Sequence, residues 1–308
     1  MLAAPDPPML ERIRHIINEE SDHKLTANVK IVKDWFRSQP HLPQHFDERI
    51  IPVFLRGCKH DLEKTKKKLD TYFTLRSNIP EFFQQRCPTG WDVVNAFRVM
   101  KAFPLPQLTP DGYRITIHQI TNLSDCEFIA THIYKALCMI GDIRLIEESA
   151  ISGDIFIFDV QHVTMSHITR LANPQLRKIL HCTQDGYPQR LKEIHLINAP
   201  PYIDKIVNMF KMFMKNKMRN RFYIHKKHDT LSNFFPVSIL PEDYGGNEPS
   251  MNTMQDQWVK KLESYKEWFL KQEKIKTEEE LRPAKTTFDY ENTQYFGCVG
   301  VFKQLSID

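Results

Sequence analysis

Strand-like segments alternate with helical segments across the middle of the chain. Tyr113, Ile115 and Ile117 alternate with polar residues, which predicts a half-buried strand. Three further apolar segments, SGDIFIFDVQHV, KEIHLINAP and RFYIHK, are separated by helical patterns. Strands that alternate with helices at this spacing favour an α/β fold with a mostly parallel sheet.

Helical patterns dominate on both sides of this region. The N-terminal part reads as a small helical bundle, with a break at Gly57 to His60 and Asp61 as the N-cap of the next helix. We therefore expect a helical N-terminal domain over residues 1–86 and an α/β domain over residues 87–250. A single amphipathic helix and an irregular tail are expected over residues 251–308.

Composition and cysteine spacing restrict the class of protein. A hydrophobic fraction of 41% and a charged fraction of 26% are typical of globular proteins. No apolar segment reaches the roughly 18–20 residues that a membrane span requires, and the first residues lack the pattern of a signal peptide. The six cysteines form no CxxC and are expected to be reduced thiols. These features predict a cytoplasmic monomer.

Motifs that would indicate catalysis are missing from the sequence. It contains no GxSxG, HExxH, phosphate-binding loop or GxGxxG. Asp159 ends a predicted strand, where an α/β enzyme could keep a catalytic acid, but a hydrogen-bonding cap is the favoured interpretation. The sequence therefore predicts no catalytic residue, no metal site and no cofactor.

One predicted helix, from Pro200 to Lys217, is strongly amphipathic. Two interpretations remain open for it: an ordinary helix that covers a sheet, or a mobile lid rich in adaptable Met and Phe side chains. The residues predicted to share its apolar face are Ile203, Ile206, Val207, Phe210, Phe213 and Met214.

Positive charge is concentrated in the same part of the chain. Between Arg190 and Lys227, ten Lys or Arg residues face two acidic residues, so this segment carries +8 and the rest of the chain −4. Arg190 and Lys192 alternate on one strand face, while Lys217 and Arg221 are four residues apart. A solvated surface is the ordinary alternative, but the apolar neighbours favour an anionic membrane. Nucleic acid is disfavoured, because the aromatic residues after Arg221 lie in a strand pattern.

Several segments, in order, resemble the CRAL-TRIO family, which includes retinaldehyde-binding, tocopherol-transfer and yeast-type phosphatidylinositol-transfer proteins. FLRGCKHDLEKTKKKLDTYFTLR resembles the N-terminal helical domain of that family. GDIFIFDVQHVTMSHITRL, YPQRLKEIHLINAPPYI and ILPEDYGGN resemble its lipid-binding domain. The similarity extends from Glu11 to Tyr244 and is strongest to the α-tocopherol-transfer-like branch, including its insect members. It implies a sheet that carries a deep apolar pocket, closed by a helical gate.

The resemblance also implies a basic cleft beside the gate that binds phosphoinositide headgroups. A further arginine of that cleft falls on Cys58 here, which leaves Arg56 or Lys59 as substitutes. Gln189 replaces a glutamate that helps to bind inositol in the yeast-type branch, so phosphatidylinositol exchange is disfavoured. The positions that match the cleft are Arg190, Lys192, Lys217 and Arg221.

Candidates for the pocket wall come from the apolar pattern, and each could equally belong to the ordinary core. Cys138 and Ser166 are candidates for a polar contact to a ligand hydroxyl. The apolar candidates are Ile115, Ile117, Ile133, Leu137, Ile140, Ile155, Ile157, Phe158, Ile194 and Leu196.

Together with these patterns, the resemblance implies a binder and intermembrane carrier of a hydrophobic small molecule, such as a tocopherol, retinoid or carotenoid. Opening of the gate helix would release the ligand at phosphoinositide-containing membranes, with transient membrane association. The alternative is a phosphoinositide-sensing adaptor that recruits a protein partner.

Overall fold

Six helices precede the sheet in the computed structural model, which describes residues 2–121, 127–171, 174–212, 214 and 216–283. Asp61 caps the fourth helix, since its side chain accepts a hydrogen bond of 3.0 Å from the amide of Lys64, as the sequence predicts. The preceding break is made by Lys59 and His60, which have positive φ. The helices are α1 Pro7–Ile17, α2 Asp22–Arg37, α3 Ile50–Gly57, α4 Leu62–Asn78, α5 Pro80–Phe83 and α6 Trp91–Val99.

A five-stranded sheet follows, and its strands lie in the order in which they occur in the chain. The first pair is antiparallel and the other three pairs are parallel, which confirms the mostly parallel sheet. The first strand was not predicted because it contains Pro104 and Pro106, which a sheet tolerates at its edge. The strands are β1 Met100–Leu108, β2 Tyr113–Ile120, β3 Gly153–Asp159, β4 Leu191–Ile197 and β5 Phe222–Ile224.

The helices that connect the parallel strands cover one face of the sheet. The parallel strands lie side by side in chain order, and crossovers between parallel strands have the same hand. Each crossover therefore lies on the same side of the sheet. These elements are α7 Ala130–Glu147, α8 Met165–Leu171, α9 Pro174–His181, a π-helical turn at Cys182–Gly186, α10 Ile203–Lys211 and α11 Asn216–Arg219.

The described C-terminal part contains two α-helices where the sequence predicted one, and the predicted tail after residue 283 lies outside the described residues. They are α12 Met251–Ser264 and α13 Lys266–Gln272, separated at Tyr265. Three short 3₁₀ turns lead into them, at His228–Asn233, Val237–Ile239 and Glu242–Tyr244. Among the described helices, none combines the length and the hydropathy of a transmembrane span.

A buried carboxylate connects the N-terminal helices to the α/β part. Asp142 of α7 is fully buried and accepts hydrogen bonds from Arg76 (3.0 Å), Tyr72 (2.9 Å) and Tyr187 (2.7 Å), and it also pairs with Arg86. Burial alone would raise the pKa of Asp142, but the charges of the two arginines outweigh it and lower that pKa. This cluster holds α4 against α7 and the turn before β4.

Candidate ligand cavity and its basic rim

A cavity of about 1070 Å³ lies against the face of the sheet that the crossover helices cover. Its floor consists of alternate residues of three neighbouring strands, because side chains of one parity share a sheet face. The strand register places Thr116, Phe156 and Ile194 in one row, and His118, Phe158 and Leu196 in the next. We call these six residues the floor.

The opposite wall is supplied by the crossover helices. Each of them contributes aliphatic or aromatic side chains, so most of the cavity surface is apolar. The wall residues of these helices include Ile133, Leu137 and Ile140 of α7, Ile168 and Leu171 of α8, Leu176 and Ile179 of α9, Ile203, Ile206, Val207 and Phe210 of α10, and Met218 of α11.

Six of the ten pocket candidates line this cavity, and four do not. Ile115, Ile117, Ile155 and Ile157 are at most 3% exposed and lie in the main core, on the other face of the sheet. Side chains alternate between the two faces of a sheet along each strand. The residues next to these four belong to the floor, so these four point away from the cavity. Strands buried on both faces give continuous apolar runs, so the sequence pattern could not separate the two faces.

The predicted gate is shorter than its sequence pattern suggested. The described helix begins at Ile203, whose amide donates to the carbonyl of Pro200 (3.0 Å), and it ends at Lys211. Five of the six residues predicted for its apolar face line the cavity, including Met214 beyond the end of the helix, while Phe213 lies outside the described residues. Of the two polar candidates, Cys138 lines the cavity and Ser166 does not.

Cations surround one end of the cavity. Besides Arg144 of α7, which is paired with Glu148 and Asp154, four come from the α/β part, as the sequence suggested: Arg190, Lys192, Lys217 and Arg221. The other four come from the N-terminal helical part: Lys59, Lys64, Lys67 and Lys68. We call these eight residues the basic rim.

The two residues suggested as substitutes for the cleft arginine, Arg56 and Lys59, lie in different environments. Cys58 is 1% exposed, and burial raises the pKa of its thiol. Arg56 donates to the buried carboxylate of Glu19 (2.7 Å, Nε to Oε2) and does not line the cavity. Lys59 does line it, so of these two residues only Lys59 reaches the rim.

The α4 lysines are rim residues that the sequence reasoning missed. Lys67 and Lys68 follow Lys64 by three and four residues, so all three side chains lie on one face of the helix. Lys68 donates to the backbone carbonyls of Gln184 (3.1 Å), Asp185 (3.2 Å) and Tyr187 (2.6 Å), so it also fixes the turn before β4. The spacing was visible in the segment EKTKKK, but nothing in it indicated a shared opening with β4.

Arg190 combines charge with partial burial on the rim. Burial lowers the pKa of its guanidinium, because it removes solvent that stabilises the charged form. Its Nη1 has no hydrogen-bond partner among the residues described. An oxyanion at the rim would compensate both effects, since planar guanidinium groups bind phosphate oxygens well.

Two polar side chains interrupt the apolar floor. Thr116 and His118 are 5% and 8% exposed, and the ring of His118 stacks on Phe158 at 4.6 Å between centroids. Burial lowers the pKa of His118 to about 4, so its ring is neutral at pH 7. The segment YRITIHQI already contained this information, because Thr116 and His118 are two residues apart and therefore share one face of a strand.

Asp159 has the structural environment of a cap. Its carboxylate accepts hydrogen bonds from Gln119 (2.8 Å), Tyr244 (2.9 Å) and Asn198 (3.0 Å), at the end of β3. These contacts connect β2, the residue after β4 and the 3₁₀ turn at Glu242–Tyr244. These hydrogen bonds give the Asp159 carboxylate a structural role, because it holds the ends of the strands together.

Known proteins are similar to this chain in sequence and fold. Residues 98–246 match the model of the CRAL/TRIO domain, and residues 21–91 match that of the Pinta-like UBA domain. An alpha-tocopherol transfer protein-like protein of Mus musculus is 27% identical over 88% of this chain and 81% of its own length. Clavesin-2 of Rattus norvegicus is 26% identical over 80% and 76%. The crystal structure of Sfh5 covers 79% of this chain and 91% of its own, with a TM-score of 0.50 and 14% identity, and shows a shared fold.

Proposed function

We propose that this chain, a member of the CRAL-TRIO family, binds a hydrophobic small molecule and carries it between membranes. The observation that supports this most directly is the apolar cavity of about 1070 Å³ with cations at one end. Pockets for small molecules usually measure about 300–1,000 Å³. The cavity is therefore large enough for an isoprenoid or acyl ligand.

The energetics of such a ligand fit exchange with a membrane. Burying about 400–500 Å² of apolar surface at about 25 cal/mol/Å² contributes on the order of 10–12 kcal/mol relative to water. A bilayer offers nearly the same gain, so the transfer between protein and membrane is close to neutral. The main obstacle is the water that separates the two apolar environments.

The gate we propose is α10, whose apolar face covers part of the cavity. Ile203, Ile206 and Val207 are buried there, against Ile194 and Leu196 of the floor. Opening would expose these side chains to water, but at a bilayer they would contact lipid instead. A membrane therefore favours the open state through contacts that solution does not offer.

The basic rim is the proposed docking surface for phosphoinositide headgroups on a cytoplasmic membrane leaflet. Each Lys or Arg near an anionic surface contributes about 1 kcal/mol. Several such residues beside the opening would hold the cavity against the membrane reversibly. The association is transient, because the attraction is electrostatic and depends on salt.

Transfer of fluorescent tocopherol or retinol between vesicles tests this function. The donor vesicles are neutral, and the acceptor vesicles contain phosphatidylinositol bisphosphate or lack it. We expect near-equimolar loading of the protein and faster delivery to the phosphoinositide vesicles. The double variant Lys217→Glu/Arg221→Glu should slow delivery at least tenfold and leave ligand affinity in solution unchanged.

The matched control is Lys226→Glu/Lys227→Glu, which makes the same change of charge at two exposed residues outside the cavity lining. Equal slowing by both double variants would overturn rim docking. A protein that binds vesicles and moves no ligand would instead be the phosphoinositide-sensing adaptor.

A further inference from the structure

We propose that β5 is an acid-sensitive switch: protonation of His195 and His225 detaches this strand from β4 and opens the cavity at the edge of the sheet. The role in ligand release rests on the proposed function, whereas the movement of the strand can be measured without a ligand. β5 is the last strand in the order of the sheet and pairs with β4. His195 belongs to β4, and His225 directly follows β5.

The two histidines form part of a chain of hydrogen bonds between the strands. His195 Nε2 lies 3.1 Å from Glu193 Oε2, and His195 Nδ1 lies 2.9 Å from His225 Nε2. At the other end, His225 Nδ1 lies 2.7 Å from Thr230 Oγ1, in the 3₁₀ turn after β5. Because a carboxylate only accepts, each group in the chain donates toward Glu193. Each ring therefore has one N–H and one bare nitrogen.

This chain is complete only when both rings are neutral. A first extra proton, on His225 Nδ1, can be accommodated because the hydroxyl of Thr230 can turn to the carbonyl of Lys227, 3.1 Å away. A second proton would put hydrogens on both nitrogens of the contact between His195 and His225 and would place two like charges side by side. Both rings are also buried, at 0% and 6% exposed, so even one charge there is poorly solvated.

The aromatic surroundings of the pair offer little compensation for such a charge. The ring of Tyr223 of β5 stacks on His195 at 5.1 Å between centroids, and Phe234 and Phe235 contact that ring edge-on at 4.7 and 5.6 Å. Burial lowers the pKa of both histidines, and that of His195 to about 4, to which the charge of His225 also contributes. Acid therefore favours a state in which water reaches the rings.

The other groups around the pair act in both directions. Glu193 partly opposes the rings, because burial raises its pKa and protonation relieves the cost of keeping it buried. On β3, the residue opposite His195 is the apolar Ile157. Two exposed lysines, Lys226 and Lys227, follow β5 closely and carry the same charge as a protonated ring.

Detachment of β5 would open the cavity because this strand forms part of its wall. Phe222 lines the cavity and pairs with Ile194 of the floor. The amide of Ile194 donates to the carbonyl of Arg221 (2.8 Å), just before the strand, and the amide of His225 donates to the carbonyl of Leu196 (2.8 Å), just after it. A charge on His225 therefore acts at one end of a strand of 3 residues.

The size of the effect follows from linkage. A ring with a pKa of about 4 in the closed state and 6.5 when hydrated favours opening about 25-fold more at pH 5.0 than at pH 7.4. Hydrogen exchange of the ligand-free, full-length protein measures this opening on peptides that cover β3 and β5, after correction for the intrinsic effect of pH. We expect β5 to lose at least tenfold more protection than β3 between these two pH values. Equal losses in the two strands would overturn the inference.

Variants assign the loss of protection to the histidine pair. His195→Phe/His225→Phe keeps aromatic side chains at both positions and removes both titrating groups, so the protection of β5 relative to β3 should change less than twofold. His228→Gln, three residues beyond the pair, is the control and should keep the wild-type dependence on pH. A double variant with the wild-type dependence would overturn the inference. If that variant does not fold, the comparison of β5 with β3 in the wild-type protein decides the matter.

Release of a bound ligand connects the switch to the proposed function. The protein loaded with fluorescent tocopherol or retinol is mixed with neutral vesicles, which do not attract the basic rim. We expect release at least tenfold faster at pH 5.0 than at pH 7.4, and equal rates in the double variant. Equal rates in the loaded wild-type protein would overturn opening of the cavity by β5. A protein that takes up neither ligand would contradict the proposed function, while hydrogen exchange still decides whether β5 detaches.

Discussion

At the scale of single residues, Glu19 is a buried charge with several partners. It is 4% exposed and accepts hydrogen bonds from Arg56 (2.7 Å) and Arg14 (3.3 Å), and His60 Nε2 lies 3.3 Å from it. Burial alone would raise the pKa of Glu19, but His60 and Arg56 outweigh it and lower that pKa to about 2. The carboxylate connects the turn after α1 to the end of α3.

This shift predicts a loss of stability in acid. The pKa of Glu19 in the folded protein lies below its ordinary value of 4.5, so the stabilisation is complete above pH 4.5 and is lost as the pH falls toward 2. Glu19→Gln should lower the free energy of unfolding by about 2–3 kcal/mol at pH 7. It should also flatten the pH dependence below pH 4.5. Denaturant titrations across pH measure both effects.

The neighbouring Glu20→Gln is the control, since Glu20 is exposed. It should change neither the stability at pH 7 nor its dependence on pH. A Glu19→Gln protein with the acid profile of the wild type would show that the shift belongs to other carboxylates.

At the scale of elements, α3 touches the segment before β4 only because it ends in a glycine. A Cβ on Gly57 would lie 2.1 Å from the carbonyl oxygen of Pro188 and 2.6 Å from its Cβ. The following residues, Gln189 and Arg190, line the cavity opening. The close contact of these two backbones therefore sets how far Lys59 stands from Arg190 across the rim.

Gly57→Ala should force these elements apart. Overpacking of this kind costs about 1–3 kcal/mol, although alanine is the better helix residue. We expect a lower melting temperature in calorimetry and weaker binding to phosphoinositide vesicles. A variant with wild-type values for both would show that the segment around Pro188 can move without cost.

At the scale of the whole molecule, positive residues from two distant parts of the chain lie around one opening. The segment from Arg190 to Lys227 carries +8 in a chain of net charge +4. The N-terminal helices add Lys64 and Lys67, both exposed, to the same opening. Two regions distant in sequence thus form one positive surface around the cavity.

This arrangement predicts that Lys64→Gln/Lys67→Gln weakens binding to anionic vesicles at least tenfold, from about 1 kcal/mol per lysine. The loss should shrink as salt is raised, because screening removes the same attraction. Vesicle co-sedimentation over a salt series measures it. Lys24→Gln/Lys30→Gln on α2, exposed and away from the cavity, is the matched control. Equal losses in both variants would mean that net charge, and not the rim, controls binding.

Local patterns in the sequence determined the classes of element and the family. The alternation of strands and helices predicted the mostly parallel sheet, Asp61 predicted the start of α4, and the family resemblance is confirmed by the matched CRAL/TRIO domain. These features depend on neighbours within a few residues, or on motifs in a fixed order. β1 was not predicted, because its two prolines are acceptable only in an edge strand, and the position of a strand in the sheet is a property of the assembled fold.

The tertiary structure alone decided which residues surround the cavity. Ile155 and Phe156 both lie in one apolar strand, yet only Phe156 faces the cavity, because the crossover helices cover that side. The same packing brings Thr116, His118, Lys64 and Arg190, which belong to three different parts of the chain, to one cavity. Periodicity tells which residues share a face, but the identity of the element that covers the face depends on contacts between distant parts of the chain.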